Sequence, residues 1–198
     1  EISCSLVGSE MCIRDRFDCA PISDGAASLV LCPLEDAKKY TDSYVKVSAV
    51  TQASDTLALF QRPDITTYQA TVEAARRAYE QAHITAQDIS VAEVHDTYTV
   101  TGIMALQDLG FYKRGEAGKA VLNEECHFDS GKVAINTSGG LKARGHPIGA
   151  TGVAQIVELV EQLRGSADKR QVENAKYGLA QNTGGTGSAV TVSILEAM

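Results

Sequence analysis

The stretch "INTSGGLKARGHPIGATG", residues 135–152, decides the fold, because it sets His146 and Pro147 among glycines between an apolar segment and a helical pattern. Glycine adopts positive φ angles and lets a backbone or ligand approach closely, whereas proline fixes φ near about −65°. Such a turn can hold an imidazole rigidly beside a pocket, where it can take a proton from a thiol and later return it. The alternative is a tight turn in which His146 only satisfies a backbone carbonyl.

Strand and helix patterns alternate on both sides of this stretch. Strands are predicted at 26–31, 44–50, 91–94 and 132–136, followed by a hairpin of 176–181 and 188–195. Helices are predicted over 68–82, with Asp64 or Thr66 as N-cap, over 100–107 and over 153–163. The first helix is expected to bury Tyr68, Val72, Ala75, Tyr79 and Ala82, and the third to bury Val153, Ile156, Val157, Val160 and Leu163. This alternation predicts an α/β fold, with helices covering a mixed sheet.

Composition excludes several classes of function. The 198 residues include 18 Lys and Arg against 25 Asp and Glu, a formal net charge of −7, and no basic stripe with interleaved aromatic residues, so no nucleic-acid partner is predicted. A membrane-spanning helix needs about 18 to 20 apolar residues, and no window of the sequence approaches this. No membrane partner is therefore predicted, and a cytoplasmic location is expected. The five cysteines are odd in number and lack C-x-x-C spacing, so neither disulfides nor a metal site are predicted.

Two further motifs carry chemistry. "EVHDTYTV", residues 93–100, places His95 and Asp96 where a strand enters a helix, an edge at which α/β active sites tend to lie. "AQNTGGTGSAV", residues 180–190, offers Asn182 and the N–H groups of residues 183–187 in a loop that can surround a developing oxyanion. Alternatively, His95 is a structural histidine paired with Asp96, and the glycine loop is a hairpin turn.

The order of these motifs resembles the C-terminal half of a thiolase. "HDTY", "NTSGGLKARGHPIGATG" and "QNTGGTGSAVTVSIL" carry the likeness, and "DCAPISDGAASLVL", residues 18–31, is similar to the end of the family's N-terminal half. The spelling "HD" resembles the sterol-carrier-protein-linked or archaeal-type branch. The resemblance implies an α/β thiolase-like fold: residues 17–41 as the tail of the N-terminal half, and 42–198 as the C-terminal domain with a mixed sheet covered by helices.

The resemblance also implies an activity. It predicts an acyltransferase acting on acyl-CoA thioesters, of the acetyl-CoA C-acetyltransferase or 3-ketoacyl-CoA thiolase type, which works by ping-pong chemistry through a cysteine acyl-enzyme. His146 would activate the nucleophile and help bind the thioester oxygen, and His95 would complete the oxyanion hole. Gly184 lies in the loop whose N–H binds the oxyanion. Coenzyme A is then a substrate, and no cofactor is expected. The resemblance also implies that the full-length protein forms a homo-oligomer, and it allows an OB-fold partner protein.

The sequence departs from the thiolase pattern in two respects. The family's nucleophilic cysteine lies in the N-terminal half, so none of the five cysteines here takes its place and the chain alone is expected to be inactive. Many thiolases also carry a second cysteine as acid and base, where this sequence has Asn182 or Thr97. A non-catalytic acyl-CoA-binding or scaffold homologue therefore stays open, as does a 3-oxoacyl synthase-like condensing enzyme, against which the "GHPIGATG" run argues.

The opening "EISCSLVGSEMCIRDR", residues 1–16, shows no helical or strand period. It resembles translated sequencing-adapter sequence, so we expect a non-native or disordered leader, with the natural protein entering at residue 17.

Overall fold

The structure, a computed structural model, describes residues 17–129 and 132–198. The expectation for residues 1–16 lies outside these ranges.

A five-stranded mixed sheet forms the centre of the fold. Its strands are β1 (Val45–Ser54), β2 (Val91–Glu93), β3 (Ala134–Ile135), β4 (Tyr177–Gly184) and β5 (Ala189–Ala197). Their order is β1-β5-β4-β2-β3; β5 runs antiparallel to both neighbours, and β2 runs parallel to β3 and β4. Because β2, β3 and β4 are parallel, their carboxyl ends meet at one edge of the sheet.

Five α-helices that lie wholly within the described residues accompany the sheet. They are α1 (Gln69–Ala82), α2 (Thr99–Asp108), α3 (Ala117–Leu122), α4 (Gly140–Arg144) and α5 (Thr151–Leu163). The longest, α1, has 14 residues, and no helix of the described chain combines the length and apolar character needed to cross a membrane. The predicted mixed sheet with covering helices is confirmed.

Each face of the sheet has its own apolar core, because successive side chains of a strand point to opposite faces. Helices α1 and α2 cover the first core, to which the strands contribute Ala49, Ala92, Leu179, Val192 and Ile194. Helix α5 covers the second, to which they contribute Val91, Ala134, Ala180 and Leu195.

Helix α1 buries the predicted stripe only in part: Ala75 is buried, and Tyr79 and Ala82 are partly buried against the first core. Its buried residues are Ala70, Thr71, Ala74, Ala75 and Ala78, whereas Val72 is 37% exposed. Small side chains let the helix backbone approach β1 and β5 closely, so alanines rather than the larger residues face the sheet. The predicted N-cap is also wrong: Tyr68 is the N-cap residue, and its backbone N–H donates to the Asp108 carboxylate over 2.8 Å.

Helix α5 turns a polar stripe inward that was not predicted, although Leu163 is buried as predicted and Ile156 and Val160 pack against the second core. Its buried residues are Thr151, Gln155, Glu158, Leu159, Gln162 and Leu163, and the valines and isoleucine expected there, Val153, Ile156, Val157 and Val160, are only half-buried. The buried polar side chains bond to backbone groups and side chains of neighbouring segments, which offsets their loss of water.

The strand predicted at 26–31 is wrong. These residues have no regular secondary structure, and Val30 is 98% exposed. A strand requires a neighbour that supplies hydrogen bonds along its length, and none of the five described strands pairs with this segment. An apolar run is therefore insufficient to make a strand here.

The second core predicts a large cost for truncating Leu159. This side chain is fully buried and packs over Gly178, so Leu159→Ala should lower the free energy of unfolding by about 2–5 kcal/mol. The matched control is Leu122→Ala, because Leu122 is 83% exposed and its loss should cost at most about 0.5 kcal/mol. Urea unfolding of both variants measures the difference, and equal costs would contradict this packing.

Candidate active site

Three segments meet at the sheet edge where β2 and β4 end. His95 follows β2 by two residues. In the ladder Glu93 pairs with Ala180, so His95 lies level with Asn182 of β4. The segment after α4 brings His146 to the same edge.

The side chains of these segments are in contact. The ring centroids of His95 and His146 are 5.1 Å apart, with the ring planes at 88°, an edge-to-face arrangement. The Asn182 amide nitrogen lies 3.4 Å from Nδ1 of His95. The structure therefore brings together three residues that are up to 87 positions apart in sequence.

Asn182 and Gly184 lie in strand β4 and not, as predicted, in a loop. The ladder between β4 and β5 continues to the pair Gly184 and Ala189, so the turn is confined to 185–188. Positive φ angles at Gly185 and Gly187 make that turn, and a Cβ at Gly187 would overlap the Tyr68 ring.

Asp96 ties the first histidine segment to the second. Its carboxylate accepts the Leu141 backbone N–H over 2.7 Å, at the start of α4. Gly140 has φ +67, and a Cβ there would overlap the Asp96 carboxylate, so only glycine fits this close approach. Because Asp96 is engaged with Leu141 and His95 with Asn182, the structure does not support a structural pair of His95 with Asp96.

A crossing segment, residues 17–23, joins both histidine segments through the backbone. The His146 N–H donates to the Pro21 carbonyl over 2.8 Å, and the Ala20 N–H donates to the Thr97 carbonyl over 2.8 Å. Lys142 donates to the carbonyls of Phe17 and Asp18 over 2.8 and 2.6 Å. The backbone at His146 is thus fixed by hydrogen bonds to the crossing segment as well as by contacts within its own turn.

Helix α5 supplies the polar partner of His146 and the partner of Asn182, which in turn contacts His95. The Thr151 hydroxyl lies 2.7 Å from Nδ1 of His146. The fully buried Gln155 accepts an N–H of the Asn182 amide over 2.9 Å. Sequence reasoning missed both residues, although their spacing, four positions apart at the start of the helix, places them on one face.

The site lowers the pKa of both histidines. Burial lowers the pKa of His95 to about 4, and the neighbouring His146 adds to the effect. Burial also lowers the pKa of His146, with a further contribution from the Arg144 charge. Both imidazoles are therefore neutral near pH 7, as a proton acceptor and an uncharged donor must be.

A buried carboxyl lies behind the site. Glu93, fully buried at the end of β2, accepts the Ser138 hydroxyl over 2.6 Å and the Ser138 N–H over 3.2 Å. Burial raises its pKa to about 7, and the Glu158 charge contributes. Glu93 and Asp96 thus hold the turn that leads into α4 from two sides.

Comparison with known proteins identifies relatives of this chain. The Thiolase C-terminal domain-like family matches residues 51–197. An acetyl-CoA acetyltransferase of Methanothermobacter thermautotrophicus is 54% identical, over 90% of this chain and 46% of that protein. Sterol carrier protein 2 of Homo sapiens is 38% identical, over 93% of this chain and 35% of that protein. The chain therefore spans between about a third and a half of these relatives.

A solved structure shares the fold. The structure described as an Ltp2-ChsH2(DUF35) aldolase has a TM-score of 0.74 to this chain, with 24% identity, and the match covers 83% of this chain and 42% of that one. At this identity the likeness concerns the fold alone.

The pKa of His95 predicts a pH dependence of stability. As pH falls below 6.5 the unfolded chain binds a proton at His95, whereas the folded chain does so only near pH 4. The wild type should therefore lose stability relative to His95→Asn as pH falls from 6.5 to 4, by up to about 3 kcal/mol at about 1.4 kcal/mol per pKa unit.

A Glu93→Gln variant provides the control of opposite sign. The folded chain keeps a proton on Glu93 up to about pH 7, whereas the unfolded chain loses it near 4.5. The wild type should then lose stability relative to Glu93→Gln as pH rises through this window. Urea unfolding across pH measures both differences; parallel curves for the wild type and either variant would contradict the assignment for that residue.

Proposed function

The chain belongs to the thiolase family through its C-terminal domain, and on that premise we propose that it forms the second half of an acyltransferase acting on acyl-CoA thioesters. The activity is of the acetyl-CoA C-acetyltransferase or 3-ketoacyl-CoA thiolase type. The observation that supports it is the edge-to-face contact of His95 and His146, two neutral imidazoles held at one sheet edge.

In the first half-reaction a cysteine thiol, supplied by the N-terminal half, attacks the thioester carbonyl. His146 takes the thiol proton as the sulfur–carbon bond forms, and the carbonyl oxygen becomes an oxyanion. His95 and His146 donate hydrogen bonds to this oxygen as its charge develops. Collapse expels coenzyme A, which takes the proton from His146 and leaves an acyl-enzyme.

In the second half-reaction the attacking group is a second thiol, or a carbanion left when an α-carbon loses a proton. As it attacks the acyl-enzyme, the bond between the acyl carbon and the cysteine sulfur breaks, and the released cysteine takes up the proton that the thiol or the α-carbon gave up. The N–H of Gly184 stabilises the oxyanion of this step, and Asn182 orients His95. Because β4 runs straight from Asn182 to Gly184, both positions are fixed by the same ladder. Coenzyme A is a substrate here, and the scheme requires neither a metal nor a cofactor.

None of the three described cysteines is assigned as the nucleophile, which the family resemblance places in the N-terminal half. Cys19 and Cys32 are exposed, and Cys19 belongs to the crossing segment, where it forms a backbone bridge with Tyr98. Burial raises the pKa of Cys126, whose thiol lies 3.4 Å from the Tyr112 hydroxyl. A thiol with a raised pKa is a weak nucleophile near neutral pH. Cys4 and Cys12 lie outside the described residues.

The wider assembly is part of the same proposal. Residues 17–41 close the N-terminal half, and 42–198 form the C-terminal domain of a homo-oligomer located in the cytoplasm. An OB-fold partner protein remains a prediction from the family resemblance.

The first test is acylation of the nucleophile. In the full-length protein, His146→Ala should reduce formation of the acetyl-enzyme from acetyl-CoA by at least about 10²- to 10³-fold, because the thiol loses its base and the oxyanion loses a donor. His127→Ala is the matched control, since His127 is exposed and bonds Asp129. Intact-mass spectrometry after rapid quenching follows the adduct.

The same measurement tests the role of this half. The 198-residue chain alone should acquire no stoichiometric acetyl group, and acetylation of one of its five cysteines would contradict the proposal. A full-length protein that binds acetyl-CoA without acylation would favour the non-catalytic acyl-CoA-binding homologue.

The second test concerns the proton at the substrate α-carbon. Neither Asn182 nor Thr97 can form a base of the thiolate kind near neutral pH, so acyl transfer should be efficient while deuterium exchange into acyl-CoA is slow. Asn182→Cys or Thr97→Cys in the full-length protein should raise the exchange rate. Thr41→Cys, at an exposed position outside the site, is the control. Fast exchange in the wild type, unchanged by either cysteine, would mean that another residue supplies the base.

A further inference from the structure

We propose that helix α5 sets the two site histidines in opposite tautomers, with the proton on Nδ1 in His146 and on Nε2 in His95. Thr151 fixes the first and Gln155, acting through Asn182, fixes the second. The assignment follows from hydrogen-bond donors and acceptors alone; its catalytic meaning rests on the proposed function.

The tautomer of His146 follows from the hydroxyl of Thr151. We assign its only proton to the Pro147 carbonyl, which lies 3.0 Å away and four positions back along the chain, as threonines in helices commonly bond. Toward Nδ1 of His146, 2.7 Å away, the Thr151 oxygen can then only accept. In a neutral imidazole that bond requires the proton on Nδ1, so Nε2 carries the lone pair.

The tautomer of His95 follows from the orientation of two amides. Gln155 directs its Nε2 at two backbone carbonyls, those of Glu93 over 3.2 Å and Gln181 over 3.1 Å. A carbonyl oxygen turned toward either would be repelled, so this orientation is fixed and Oε1 of Gln155 must face Asn182.

The orientation of the Gln155 amide also determines the orientation of the Asn182 amide, which contacts His95. To reach Oε1 of Gln155, 2.9 Å away, the Asn182 side chain must present its NH₂ group. The second proton of that group then points to Nδ1 of His95, at 3.4 Å. Nδ1 must therefore be the acceptor, and the single imidazole proton of His95 lies on Nε2.

One rigid element thus imposes both states. Thr151 and Gln155 are 1% and 0% exposed and occupy positions i and i+4 of α5, so they lie side by side on one face. His146 is left with a proton acceptor at Nε2, and His95 with a proton donor at Nε2. A general base and an oxyanion donor require these two opposite states.

Nuclear magnetic resonance of the chain tests the tautomers directly. Long-range ¹H–¹⁵N correlation of ¹⁵N-histidine-labelled protein, recorded well above the pKa of both imidazoles, distinguishes protonated from unprotonated ring nitrogens. We expect His146 with a protonated Nδ1 and His95 with a protonated Nε2. The same tautomer on both histidines, or the reverse pair, would overturn the proposal.

Single variants should change one histidine at a time. Thr151→Val removes the acceptor, so the Nδ1–H signal of His146 should give way to the Nε2–H form, whereas Thr151→Ser should keep it. The Pro147 carbonyl remains bonded in Thr151→Val, because the backbone N–H groups of Ala150 and residue 151 also donate to it. His95 should be unchanged, which reports an intact site.

Asn182→Asp should act on the other histidine. A carboxylate offers only acceptors, so His95 should transfer its proton to Nδ1 while His146 stays as in the wild type. An unchanged His95 in this variant, or an unchanged His146 in Thr151→Val, would contradict the mechanism. These spectra need neither the nucleophile nor acyl-CoA. The tautomer proposal can therefore be contradicted while acylation is observed, and it can be confirmed while acylation is absent.

Discussion

The buried amide of Gln155 is the interaction on which the site depends. It joins the backbone carbonyls of Glu93 and Gln181, which belong to the neighbouring parallel strands β2 and β4. Beyond Glu93 the chain leaves the ladder and carries His95 into the site, so the amide holds α5 at the place where the two strands part. A buried carbonyl without a partner is costly, and this cost fixes how α5 sits on the sheet.

The remaining inward residues of α5 follow the same rule. Gln162 donates to the Arg170 carbonyl over 2.8 Å and accepts the Val172 N–H over 2.8 Å. Glu158 accepts the Thr137 hydroxyl over 2.9 Å and pairs with Arg170 over 2.9 Å. Turning the helix by one residue would separate these groups from their partners at once. A fully bonded polar stripe therefore selects one orientation of α5, which apolar contacts alone would fix less sharply.

This stripe also explains what the sequence could and could not predict. The contact of His95 with His146 was predictable from the resemblance to the thiolase family, which assigns both residues to one site, and not from either motif alone. The inward face of α5 was not, since hydrophobic periodicity assigns polar residues such as Gln155 to solvent. The strand prediction for 26–31 was wrong for a related reason. Strand propensity is a local property, whereas a strand also needs a neighbouring strand, and Val30 has none among the described strands.

The two histidines show that environment, and not residue type, assigns a chemical role. His95 is 8% exposed and lies beside the Asn182 amide, whereas His146 is half-buried and lies beside the Thr151 hydroxyl. In the proposed tautomers the same imidazole is a donor at Nε2 in one position and an acceptor at Nε2 in the other. This division also requires the rings to hold their places, which the backbone bond from His146 to Pro21 and the Asp96 contact with Leu141 secure. The contacts of Pro21 and Asp96 that hold the two segments in place are therefore separate from the Thr151 and Asn182 contacts that set the proposed tautomers.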